Sequence, residues 1–96
     1  MPVLQLEHDI KDFELWKAAF DRDPIDRRGL GVRRHRIFRP VGDPNAIVVE
    51  LEFATIGEAN SCHGALRELW RSRSAAPALV GDPRVRIVEL VEDESY

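Results

Sequence analysis

A chain of 96 residues has room for one domain around one hydrophobic core. Its hydrophobic and charged fractions, 44% and 32%, exclude a disordered tract or a string of membrane helices. A net charge of −3 argues against sequence-independent nucleic-acid binding, which draws its affinity from a basic surface.

From Val3 to His8 apolar and polar residues alternate, with Leu4 and Leu6 on one face and Gln5 and Glu7 on the other, as in a half-buried strand. Asp12 then supplies an N-cap and Glu14 a negative charge in the first helical turn. Phe13, Trp16 and Phe20 recur at helical spacing with Ala19 beside them. Asp23-Pro24 closes this helix, because a residue before proline is pushed out of the helical region. Val32 to Arg39 and Ala46 to Phe53 flank a loop, Pro-Val-Gly-Asp-Pro-Asn at 40–45, and read as a hairpin. Thr55 and Glu58 fit a capping box. Ala59, Cys62, Leu66 and Leu69 form the stripe of a second helix that ends near Ser72. Pro77, Gly81 and Pro83 mark a loop, Val85 to Val91 a last strand, and 93–96 a frayed tail.

The order β-α-β-β-α-β with right-handed crossovers places the first and third strands at the centre of a four-stranded antiparallel sheet. This is an α+β, ferredoxin-like domain over residues 1–96, with both helices on one face. Alternation turns Leu4, Leu6, Ile47, Val49, Leu51 and Phe53 toward the helices and leaves Val3, Gln5, Glu7, Val48, Glu50 and Glu52 on the open face. Ile37 is placed inward, so that Arg34, Arg36 and Phe38 stand outward across from glutamates. The opposite parity would bury two arginines under a helix. The last strand allows either Val85-Ile87-Val91 or Val88-Leu90 as its inner face. An open face mixing valine, phenylalanine, arginine and glutamate suits packing against a second copy, so a homodimer through that face is expected.

The strand leading into DFELWKAAFD, the hairpin GVRRHRIFRPVGDPNAIVVELEF and the helix after Thr55 together resemble the dimeric α+β-barrel superfamily. That superfamily includes antibiotic-biosynthesis-monooxygenase-like proteins and many small bacterial proteins. The resemblance spans nearly the whole chain, is carried by no short diagnostic segment, and implies two sheets packed into a dimeric barrel. It further implies a ligand in that barrel or between sheet and helices, and for monooxygenase members an aromatic, polyketide-like substrate oxidised without a cofactor. It does not extend to haem degradation. Those members use an asparagine on the first strand and a tryptophan followed by a histidine around the second helix. Here the first strand lacks asparagine and His63 precedes Trp70.

His8, His35 and His63 fall on three different elements without metal-ligand spacing. Only a meeting in space of His8, His35 and a carboxylate such as Glu50 would offer a metal site, and none is expected. His63 has a structural reading, a hydrogen-bonded histidine at the edge of a stripe. Trp16 and Trp70 sit beside core positions, where they fill the core or line a pocket for a flat substrate. Cys62 reads as a small buried hydrophobe, because a neighbouring histidine on a helix points elsewhere. Arg33, Arg34, Arg36 and Arg39 form a basic stretch suited to a carboxylate or to nearby glutamates. RNA recognition on such a sheet needs exposed aromatics on the central strands, where Gln5, Glu7, Val48 and Glu50 stand instead. A copper-chaperone reading lacks its paired cysteines.

One cysteine cannot form an internal disulfide. The N-terminal residues lack the pattern of a secretory leader, and no apolar run approaches a membrane span. A cytoplasmic location, with no membrane partner, is therefore expected. Two function classes stand side by side. The first is a metal-free, cofactor-free homodimeric enzyme, monooxygenase- or cyclase-like. Its expected catalytic residues are His35 and His63, and its substrate-binding residues Trp16, Trp70, Arg36 and Glu50. The second is a non-catalytic dimeric domain that binds a small ligand, and fold alone does not choose between them.

Overall fold

The fold is that of a computed structural model, which describes residues 1–72 and 79–96. Six elements follow in chain order: β1 (Pro2–Ile10), α1 (Phe13–Asp21), β2 (Arg34–Phe38), β3 (Ala46–Glu52), α2 (Ile56–Arg71) and β4 (Leu79–Glu89). The strands form one sheet in the order β2-β3-β1-β4. All three pairings are antiparallel. This is the α+β, ferredoxin-like layout expected from the periodicity, with the first and third strands central.

Both helices begin at the expected residues. The Asp12 side chain accepts from the Leu15 amide at 2.9 Å, satisfying one of the donors a helix leaves free at its start. At α2, Thr55 Oγ1 accepts from the Glu58 amide at 3.1 Å while Glu58 Oε1 accepts from the Thr55 amide at 3.2 Å. α1 ends at Asp21 with Arg22 as its cap. The next residue, Asp23, takes a positive φ of 53°, so the chain leaves the helix just before Pro24.

Side chains from β1 and β3, with Phe53 just past β3, form the sheet side of the core, and Leu4, Ile47, Val49, Leu51 and Phe53 are at most 2% exposed. Trp16 of α1 and Ala59, Cys62 and Leu66 of α2 close over them. Leu69 packs against this cluster without being fully buried. Ile37 pairs with Val49, and Arg34, Arg36 and Phe38 pair with Glu52, Glu50 and Val48. The inward placement of Ile37 is therefore correct.

The last strand differs from its sequence reading. It starts at Leu79 rather than Val85 and ends at Glu89, so Gly81 and Pro83 lie within it; Pro77 is outside the described residues. The β1–β4 register shifts between Glu7 and Asp9, whose partners are Arg84 and Val80. Gly81, at φ 69°, and Pro83 occupy the extra length on β4. An edge strand tolerates this, since a bulge takes a left-handed glycine and an edge proline removes no ladder bond. Val85 and Ile87 lie opposite Leu6 and Leu4, and Val88 opposite Val3. The inner face of β4 is thus Val85-Ile87, and Val91 is an exposed residue beyond the strand.

Candidate functional site

A cavity of about 150 Å³ lies between the sheet and the helices. Its floor is Leu6 of β1 with Val49 and Leu51 of β3. Trp16 and Phe20 of α1 form one wall, and Leu66, Leu69 and Trp70 of α2 the other. Ala19 contributes only a methyl group to this lining. The connection after α1 supplies the rim through Arg22, Pro24, Ile25 and Arg27. The floor is buried, whereas Arg22 and Pro24 are exposed. The site is therefore apolar at depth and cationic at its mouth.

His8 is the polar exception at depth. It is 2% exposed and the sole buried polar or charged side chain among the described residues. Nε2 lies 3.1 Å from the Gly81 carbonyl oxygen. A carbonyl only accepts, so Nε2 carries the proton and donates, which leaves the lone pair of the neutral ring on Nδ1. No protein partner meets Nδ1 among the described residues. Burial pushes the His8 pKa below its usual value, against opposing contributions from the Gly81 carbonyl, Asp9 and Asp82. The ring stands edge-on to Trp70, with centroids 6.1 Å apart and planes at 87°. A neutral imidazole in one tautomer, oriented by a backbone carbonyl and bordering an apolar cavity, has the attributes of a general base.

The rim is internally bonded. Arg27 Nη1 donates to the Phe20 carbonyl at 2.8 Å, and the guanidinium sits 3.7 Å above the Phe20 ring centroid. Asp23 Oδ1 accepts from the Arg27 amide at 2.9 Å and lies 3.5 Å from Nη1.

Of the expected site residues, the structure brings Trp16 and Trp70 together in one lining. His35 and His63 are outside it. His35 is exposed on the edge strand β2 and meets the Phe20 ring edge-on at 5.1 Å; Phe20, not His35, faces the cavity. His63 is half-buried beside the inward stripe of α2, and burial, with Arg67 adding to it, pushes its pKa down. A pocket lined by Trp16, His35, His63 and Trp70 therefore does not form, because one helix step and one edge position turn the two histidines aside. Arg36 and Glu50 lie on the open face, joined at 2.7 Å, with the sheet between them and the cavity. For the same reason Glu50 does not meet His8. Among the described residues no group of three or more histidine, cysteine or acidic side chains is arranged to hold a metal.

The histidine that borders the cavity is thus His8, which the sequence offers only as a metal-ligand candidate. Its signal was present, since Leu4, Leu6 and His8 share one face by simple alternation. Cys62 is buried as expected. Burial raises its thiol pKa to about 11, with the Arg27 charge opposing the rise; a thiol held there is no nucleophile near neutral pH.

No protein-family model matches the sequence, and no curated protein matches it. Solved structures do. A single-residue variant of SnoaB, a cofactor-independent oxygenase from Streptomyces nogalater, superposes with TM-score 0.73 at 10% identity over 96% of this chain and 94% of that one. A protein from Nitrosomonas europaea provisionally named an antibiotic biosynthesis monooxygenase gives TM-score 0.64 at 18% identity, over 96% of this chain and all of its own. A dimeric ferredoxin-like protein from an uncultured marine organism gives 0.68 at 11%, over 97% of each chain. At such identities the likeness is one of fold, the ferredoxin-like α+β subunit fold that the resemblance implied.

Proposed function

We propose that this chain is a small oxygenase-like enzyme that binds a flat aromatic molecule between sheet and helices and uses His8 as its base. The observation that carries the reading is the oriented, neutral His8 bordering an apolar cavity walled by Trp16 and Trp70. The indoles supply flat apolar contact for a ring. Nδ1 of His8 accepts a proton from an acidic C–H or O–H of the bound molecule, and the ring-conjugated anion left behind donates electrons to dioxygen. For an activated methylene the net change is CH2 + O2 → C=O + H2O, in which dioxygen is the one co-reactant. The oxygenases that share this fold support the reading. On it, the acid–base role expected of His35 and His63 passes to His8, and Trp16 and Trp70 keep their substrate-binding role.

The open sheet face completes the proposal. Arg36, Glu50, Gln5 and Arg86 form a polar line across all four strands, through contacts of 2.7, 2.9 and 2.8 Å. Val3, 9% exposed, and Phe38, 45% exposed, flank it with Val48 and Val88. A second copy packed on this face buries those apolar residues, as the dimeric ferredoxin-like neighbour also suggests. A cytoplasmic setting goes with a chain whose one cysteine is buried, and a bacterial one with the Streptomyces origin of the oxygenase that shares the fold.

Oxygen uptake with one-ring quinols and aryl ketones, and hydrogen–deuterium exchange at the activated benzylic C–H of the ketones, test the enzymatic reading. The His8→Gln variant keeps a polar side chain but loses the base, and both rates fall on the order of 100-fold or more. A wild-type protein that neither consumes oxygen nor exchanges deuterium, while still binding aromatic ligands, is instead a non-catalytic ligand-binding domain. The His8–Gly81 hydrogen bond and the packing on Trp70 favour that second reading, since both also serve a structural histidine.

A further inference from the structure

We infer that the ligand of this cavity is a one-ring aromatic carboxylate, its ring between Trp16 and Trp70 and its carboxylate held at the rim by Arg22 with Arg27 beside it. The inference rests on the cavity being the ligand site and not on His8 acting as a base.

Charge is the first ground. Among the described residues, two guanidinium groups line the cavity and no aspartate or glutamate does. Arg27 is already engaged by Asp23, by the Phe20 carbonyl and by the Phe20 ring, which fixes its position and partly answers its charge. Arg22 makes no ion pair among the described residues. A guanidinium presents a planar fork of donors that matches a carboxylate. An apolar pocket with such a group at its mouth complements a molecule that is apolar at one end and anionic at the other. The positive field also reaches inward, since the Arg27 charge is felt at Cys62.

Size is the second ground. An apolar cavity of about 150 Å³ is the size that accepts a single benzene ring, and this one measures about 150 Å³. One ring therefore fills the space between the walls, and the rest of the ligand extends to the rim. The rim is preformed as well. Asp23 and Asp26 both sit at positive φ, 53° and 56°, a region that non-glycine residues seldom occupy. Asp23 is held there by the Arg27 amide, and Asp26 by the Leu30 amide on its carbonyl at 3.0 Å. Such strain persists only where surrounding bonds over-determine it, so Arg22 and Arg27 are presented without a folding step.

Titration of the whole protein with phenylacetate and with methyl phenylacetate, followed by calorimetry and by NMR, tests this without any turnover. The acid is expected to bind about tenfold or more tightly than the ester, as one charge-assisted contact would give. Arg22→Gln should abolish that preference by weakening the acid far more than the ester, and Arg22→Lys should restore part of it. Equal affinities in the wild type, a preference that survives in Arg22→Gln, or no binding of either compound would each overturn the inference. A wild-type preference for the acid that Arg22→Gln removes, together with absent His8-dependent exchange, sinks the oxygenase reading alone. Equal wild-type affinities for acid and ester, with exchange intact, sink this inference alone.

Discussion

His8 shows how burial and one hydrogen bond turn an ordinary side chain into a directed one. The Gly81 carbonyl selects the tautomer, and the low-dielectric surroundings hold the ring neutral. The same burial links it to stability. Its folded-state pKa lies below the usual 6.5, so between those two values the unfolded chain takes up a proton that the folded one refuses. Stability therefore falls as pH drops through 6.5 toward the folded value, and is unaffected by this group well above 6.5. His63, also held low by burial, contributes with the same sign. Melting temperatures measured between pH 7 and pH 5 are expected to decline for the wild type and to decline less steeply for His8→Gln. An equally steep decline in the variant would mean that His8 is not the buried neutral group described.

At the scale of elements, the capping box of α2 joins the helix to the loop that rims the cavity. Glu58 completes the box with Thr55, and its side chain also lies against Gly31. A Cβ on Gly31 would collide with the Glu58 carboxylate, and the backbone there is at φ 95°, so only glycine fits. Replacing Thr55 by alanine removes the oxygen that accepts from the Glu58 amide. The expected loss is about 1 kcal/mol, read as a lower denaturant midpoint with unchanged slope. Ligand affinity should hold, because Trp70 lies four turns away at the other end of the helix. The β4 bulge plays the corresponding part on the opposite side. The extra residues around Gly81 carry the carbonyl that meets the His8 ring.

For the molecule as a whole, the sheet separates two surfaces of different character. One carries the core and the cavity; the other carries ion pairs such as Arg84–Glu7 at 3.0 Å and Arg36–Glu50 at 2.7 Å. Exposed pairs of this kind contribute little to the stability of a lone subunit. Packed against a second copy, they would lose water and set the register of the two sheets. Sedimentation at micromolar concentration is expected to give a dimer, and Val48→Glu, which puts a charge among Val3, Phe38 and Val88, a monomer that remains folded. A monomeric wild type would refute the packing of this face.

Most of the architecture could be read from residue order. Strand alternation sorted the two faces of β1 and β3 correctly, and the caps Asp12 and Thr55 marked both helix starts, because these are local properties of adjacent residues. The extent of β4 could not be read that way. Gly81 and Pro83 signal a loop in isolation, and they become part of a strand only because β1 lies beside them to receive the pairing. The cavity was legible only in part. Trp16 and Trp70 were on the expected faces, but which histidine reaches the space between them depends on how two helices and a bulged edge strand meet. That meeting joins residues 8 and 81, far apart in the chain, and packing over such a separation leaves no periodic trace in the residues themselves.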